Sequence, residues 1–274
     1  ATAQMHPGHE FATMQISELP ADYAGSYGRH LHISPAPRLA GPALMERRPE
    51  EWKRLETQYL NQKVVGNVPG MPAGALPPQG LVVIDDVLSE AALQSLLDHC
   101  LESTIWSAEK SGYLGAYFED GFSADLLLQL SEEIISKFPT LMKGLSLSTL
   151  WAYKYGPQDN GEVSGINVHA DDATVQLNLW LTPSEANHDV DSGGLVIYHV
   201  ETPESWSFRE YNSYSYNGPN IDRVLGSVRH ANTTVSYKQN RGILFHSKLF
   251  HATDSIDFKS GYRNRRINLT FLFR

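Results

Sequence analysis

The chain has 274 residues, of which 41% are hydrophobic, 19% charged and 10% aromatic, and its formal net charge is −9. That length can bury a sizeable core, and one large domain with an extension is favoured over two equal halves. The negative charge argues against a nucleic acid or an anionic membrane surface as partner, since both are polyanions, and no apolar run reaches the roughly 20 residues of a membrane span. A single cysteine, Cys100, excludes an internal disulfide. With no basic and apolar leader pattern at Ala1-Thr2-Ala3-Gln4, a reducing compartment, the cytoplasm, is the expected location. The expected partner is a small-molecule substrate. The oligomeric state stays open, a homodimer included.

Ten of the fifteen prolines fall within residues 1–78, where they interrupt regular structure. One helix is expected there, from Pro49 in a first-turn position to about Asn61, with Trp52, Leu55, Tyr59 and Leu60 on one side. Residues 1–77 are therefore read as an extension wrapped on a main domain, 78–274. Leu81–Asp85 has the pattern of a buried strand. Ser89 can cap a helix carrying Leu93, Leu96, Leu97, Cys100 and Leu101, and a second helix follows Ser123 and stops before Pro139. Beyond residue 145 the period changes to strands: Ser148–Tyr155, Ile166–His169, Thr174–Leu181, Leu195–Tyr198, Thr233–Tyr237, Gly242–Phe245, Ala252–Ile256 and Arg266–Phe273. Helices followed by about eight strands imply an α+β chain built on a jelly roll or double-stranded β-helix with helices on one sheet. Residues 199–232 are read as a long polar insertion, rich in Tyr and Asn, of the length that loops with a function have.

His169-Ala170-Asp171 lies in one of these strand patterns. Side chains two apart on a strand share a face, so an imidazole and a carboxylate can meet one point. A second imidazole from a distant strand would complete a two-His, one-carboxylate face that leaves open positions on iron(II), and His251 is available. Asp172 competes with Asp171, but a shift of one residue turns the side chain to the opposite face. His246 directly follows the apolar end of a strand, and His188, His199 and His230 lie in polar connections.

The order of these segments resembles the non-haem iron(II)- and 2-oxoglutarate-dependent oxygenases: His169-x-Asp171, then Thr174–Pro183, Ser192-Gly193-Gly194 turning into a strand, Gly242-Ile243-Leu244-Phe245, His251, and Arg266-Ile267-Asn268-Leu269-Thr270-Phe271. The resemblance covers about residues 80–274 and includes prolyl-hydroxylase-like and AlkB-like members. It implies metal ligands His169, Asp171 and His251, with iron(II), 2-oxoglutarate and O2 as cofactors. It also implies that Arg266, first on the closing strand, grips the distal carboxylate of 2-oxoglutarate, a task that suits a guanidinium fork. Arg266, Asn268 and Thr270 would face the cavity while Ile267, Leu269 and Phe271 face helices. Arg263 and Arg265 are read as surface charges. Tyr153 or Tyr155 could add a hydrogen bond to the same carboxylate, and Asn178 and Trp180 could line the pocket. A carboxylate at Asp171 suits a hydroxylase rather than a halogenase, which keeps a small residue there. The activity implied is hydroxylation of an unactivated C–H bond in a small molecule or amino-acid-type substrate, with release of succinate and CO2. The alternatives are a protein side-chain hydroxylase and a cupin-like metal binder without oxygen chemistry. Residues 206–218 could close over the substrate as a lid.

Overall fold

The structure, a computed structural model, describes residues 32–61, 80–110, 112–156 and 165–274. The parts of the expected extension at 1–31 and 62–77, with most of its prolines, lie outside these residues. No helix among the described residues is long and apolar enough to cross a membrane.

Among the described residues, ten strands form two antiparallel sheets. The larger contains β1 (Leu81–Ile84), β2 (Ala108–Lys110), β3 (Tyr113–Tyr117), β4 (Leu147–Tyr155), β5 (Val175–Trp180), β8 (Gly242–His246) and β10 (Ile267–Phe273), in the order β1-β8-β5-β10-β4-β3-β2. The smaller has β6 (Leu195–Glu201) between β7 (Asn232–Val235) and β9 (Leu249–Thr253). Alternation sorts the faces of β10. Ile267, Leu269, Phe271 and Phe273 join one apolar cluster with α2 (Glu90–Glu102) and α3 (Asp125–Lys137), while Asn268 and Thr270 point to the other side. A second cluster, with Leu81, Trp180, Ile197, Val235, Phe245 and Leu249, joins the inner faces of the two sheets. Helices therefore cover one face of the large sheet and the small sheet covers part of the other, leaving a cavity between them.

The first helix, α1, spans Pro49–Asn61, as its apolar spacing predicts. Trp52 packs edge-on against Phe138 of the segment after α3, with ring centroids 5.6 Å apart. The Glu56 carboxylate accepts hydrogen bonds from the Thr140 and Leu141 amides. Glu133 of α3 does the same for Ala43 and Leu44. Ser89 caps α2 by accepting from the Ala92 amide. The cap of α3 differs from expectation: Ala124 occupies the position without a side-chain bond, although the helix still stops before Pro139.

Four expectations are corrected. Ile166–His169 is not a strand. Its backbone meets only His251 and Thr253 of β9, and only an isolated bridge between His169 and His251 forms. The strand expected at Ala252–Ile256 starts earlier, at Leu249, so His251 lies inside β9. The insertion is helical: β6 runs to Glu201, and α4 (Phe208–Asn212) and α5 (Tyr214–Leu225) follow, with a capping box between Ser207 and Glu210. The sequence reading also missed β2 and β3, because both are short and Gly115 interrupts the second.

Candidate metal centre and cosubstrate pocket

His169, Asp171 and His251 offer ligand atoms that all lie within 4.8 Å of one another. His169 and His251 exchange both backbone hydrogen bonds, 2.9 and 2.8 Å, which brings their rings together, tilted by 52° with centroids 4.3 Å apart. The Ala170 amide donates to the Tyr211 carbonyl and the Asp171 amide to the Ser247 carbonyl. Three amides in a row are thus held by three different elements, and His169 and Asp171 converge without a strand to carry them.

Each imidazole is oriented from behind. Nδ1 of His169 lies 2.7 Å from the Asn167 carbonyl, and Nδ1 of His251 lies 2.9 Å from the Leu249 carbonyl. A carbonyl can only accept, so both Nδ1 atoms carry the proton and both Nε2 atoms present lone pairs. Burial and the neighbouring His251 push the His169 pKa down to about 4, so its ring is neutral near pH 7. Burial pushes the Asp171 carboxyl upward, but the neighbouring imidazoles of His251 and His169 outweigh it and hold the group below its usual range. Asp171 Oδ2 stands 3.4 Å from His251 Nε2. Two lone-pair donors at that separation repel unless a proton or a cation lies between them. Gln176, fully buried, brings Nε2 to 3.4 Å from the same His251 Nε2, while its Oε1 has no partner. Two imidazoles and one carboxylate, on one side of a cavity, fit a borderline divalent metal such as iron(II). The residues present fit the group.

Among the described residues, the other histidines and Asp172 stay apart from this cluster. Asp172 pairs with Lys248 at 3.2 Å and Arg274 at 2.5 Å. His246 ends β8 beside Glu201, and His199 meets the Thr233 hydroxyl.

A cavity of about 620 Å³ opens from the three ligands and reaches Arg266. The Arg266 side chain is buried, with 1% of the residue exposed. Its Nε donates to the Gly193 carbonyl at 2.6 Å, Nη2 to the Gly194 carbonyl at 3.3 Å and Nη1 to Asn268 Oδ1 at 3.1 Å. Gly193 has φ +80°, and a Cβ on Gly194 would lie 1.8 Å from the Val235 carbonyl oxygen, so only glycine lets this turn approach the small sheet. The ring of Tyr155 lies 4.9 Å from the guanidinium carbon and that of Trp180 5.5 Å. Burial holds the Arg266 pKa below its usual value. Among the described residues it makes no ion pair. Each Nη makes one of these bonds, and the guanidinium lines the cavity beside Tyr155, a donor fork suited to an anion.

Asn178, Trp180, Tyr153 and Tyr155 also line the cavity, as expected from alternation. The two tyrosines part company there. Tyr155 sits by Arg266 and shares a hydrogen bond with Thr253, whereas the Tyr153 hydroxyl meets that of Tyr117 at 3.3 Å. The sequence reading missed Asn212, whose Nδ2 donates to the Ala170 carbonyl and to Asp171 Oδ1 at 3.3 Å. It also missed Gln176. Its place beside Asn178 and Trp180 on alternate positions of β5 was a usable signal; Asn212 had none.

No family model and no curated protein sequence matches the chain. Among solved structures it is similar to the non-haem α-ketoglutarate-dependent epimerase SnoN from nogalamycin biosynthesis, with 13% identity over 82% of this chain and 84% of that one and a TM-score of 0.55. It is also similar to the carbocyclase SnoK of the same biosynthesis, with 15% identity over 85% and 87% and a TM-score of 0.52. SnoN in complex with Fe3+, α-ketoglutarate and nogalamycin RO aligns with a TM-score of 0.53 at 15% identity, over 82% and 84%. At such identities similarity speaks for the fold, and the chain has the fold of the non-haem iron- and 2-oxoglutarate-dependent oxygenases.

Proposed function

We propose that the chain is an iron(II)- and 2-oxoglutarate-dependent dioxygenase that hydroxylates a C–H bond of a small molecule or amino-acid-type substrate, on a double-stranded β-helix formed by the two sheets. The observation that carries this reading is Arg266: a buried guanidinium that makes no ion pair among the described residues, in the same cavity as two imidazoles and a carboxylate. A metal-binding protein without oxygen chemistry has no use for that cation. His169, Asp171 and His251 would hold the metal through Nε2, Oδ2 and Nε2. The Nη donors of Arg266 would take the distal carboxylate of the cosubstrate, with Asn268 and Tyr155 orienting the guanidinium; we assign this position to Tyr155 rather than Tyr153. Bound iron(II), with 2-oxoglutarate and O2, supplies the oxidising power for C–H hydroxylation as the cosubstrate is converted to succinate and CO2. The protein holds the ligands, neutralises the cosubstrate and keeps water out of a cavity whose volume lies within the range of small-molecule sites. That volume favours a small substrate over a protein side chain.

Anaerobic addition of iron(II) and 2-oxoglutarate is expected to give a weak visible charge-transfer band, and air is expected to give succinate. Absence of both defeats the reading. Arg266→Ala should weaken 2-oxoglutarate binding by roughly 10- to 100-fold, the range for a lost hydrogen bond to a charged group, and leave iron binding intact. Equal loss of both would contradict the assignment.

A further inference from the structure

The site-facing surface of the β3–β4 pair is almost wholly aromatic. Register sets Tyr113 opposite Tyr155, Gly115 opposite Tyr153 and Tyr117 opposite Trp151. The alternate positions, Leu114 and Ala116 on one strand and Leu150, Ala152 and Lys154 on the other, turn to the opposite face. Tyr153 is the hub: its ring centroid is 4.8 Å from Tyr113, 6.1 Å from Tyr117 and 6.2 Å from Trp151. Gly115 makes room for this. A Cβ there would stand 3.1 Å from the Tyr117 ring, so the absence of a side chain lets that ring lie back over the strand toward Tyr153. Tyr113, Tyr117, Trp151 and Tyr153 remain only half-buried, and all four line the cavity of the metal ligands. Phe208, more than half exposed on α4, lines the same cavity from the insertion.

Ring faces left open in a concave site gain from contact with another flat, weakly hydrated surface. Charge narrows what that surface is. A cation would also suit aromatic faces, but it needs a carboxylate to replace lost water. The two carboxylates lining the cavity are both committed, Asp171 to the metal cluster and Asp172 to Lys248 and Arg274. Burial raises the pKa of Tyr113 to about 12 and that of Tyr153 further, so both phenols are neutral near pH 7 and the wall carries no charge.

We infer that the aromatic wall of β3 and β4 is the substrate subsite, and that it takes an uncharged molecule with a planar aromatic or conjugated ring. This rests on the oxygenase reading for the chemistry, but not for the binding. Ring stacking on Trp151 and Tyr153 would align the flat face, and the hydroxyls of Tyr117 and Tyr153 could accept or donate at its edge.

The test uses 2-naphthol, its saturated counterpart decahydro-2-naphthol, and tetramethylammonium, titrated calorimetrically into the anaerobic protein loaded with iron(II) and 2-oxoglutarate. The inference expects 2-naphthol to bind about tenfold or more tightly than the saturated alcohol. Trp151→Leu should remove that advantage, Trp151→Phe should keep most of it, and both variants should retain the charge-transfer band, which shows that they are folded. Equal affinity for the flat and saturated alcohols, tighter binding of tetramethylammonium, no binding of any probe, or unchanged naphthol affinity in Trp151→Leu would each overturn it. Naphthol binding that persists in a wild-type protein lacking the band would sustain the subsite and count against the oxygenase reading alone.

Discussion

Asp171 has two oxygens with different duties. Asn212 donates to Oδ1, while Oδ2 turns toward His251. A residue that holds one oxygen of a ligating carboxylate leaves the other aimed at the metal, and losing such a support typically costs about 10- to 100-fold in metal affinity. Asn212→Ala is accordingly expected to weaken iron(II) or manganese(II) binding by about tenfold, measured by calorimetry, with the fold retained. Unchanged affinity would mean that the backbone alone sets the carboxylate. The cluster of His169, Asp171 and His251 was legible in the sequence, from side chains two apart on an extended segment and from the order of segments that resembles a known family. Asn212 was not, since nothing local distinguishes an asparagine that reaches a carboxylate more than 40 positions away.

At the scale of elements, the helices and most strands of the second half could be read from period and breakers, since apolar spacing and proline act locally. What escaped was decided by tertiary partners. The segment around His169 has a strand-like sequence, yet Tyr211 and Ser247 take its amides where a neighbouring strand would. The insertion reads as loop because its apolar residues are few, and it becomes helical by packing Tyr211, Ile221 and Leu225 under Phe250. β4 illustrates the two-faced use of one strand. Its cavity face carries Trp151, Tyr153 and Tyr155, and its core face carries Lys154, whose amine donates to the Cys100 carbonyl at the end of α2 and to the Tyr262 hydroxyl, over the Trp106 ring at 4.1 Å. Burial lowers the Lys154 pKa from 10.5 to about 8. Between those values the unfolded chain binds a proton that the native state does not, so this group makes stability rise with pH across the window. Urea midpoints at about pH 7.5 and about pH 9.5 should therefore show a rise in the wild type that is smaller in Lys154→Met; identical rises would refute the coupling.

At the scale of the whole molecule, residues 32–61 contribute to the same apolar cluster as the helices of the main sheet, through Leu44, Trp52, Leu55 and Tyr59. Trp52→Ala removes a buried ring that meets Phe138, and a loss of about 3–5 kcal/mol in unfolding free energy is expected from urea titration. A loss below about 1 kcal/mol would show that this segment is an appendage to the core and not part of it. The proline-rich composition that marked the region in the sequence describes its backbone well and its energetic role poorly. Proline limits regular structure, but it does not prevent a few large rings from burying themselves.

The mutual amide bonds of His169 and His251 have a consequence for how the protein is made. They join two stretches about 80 residues apart in sequence, so most of the entropy of bringing the ligands together is lost when the sheets assemble. A metal ion arriving afterwards would meet a socket already shaped and would serve as a clasp on a finished garment rather than the thread that sews it. Metal loading and folding would then be separable events.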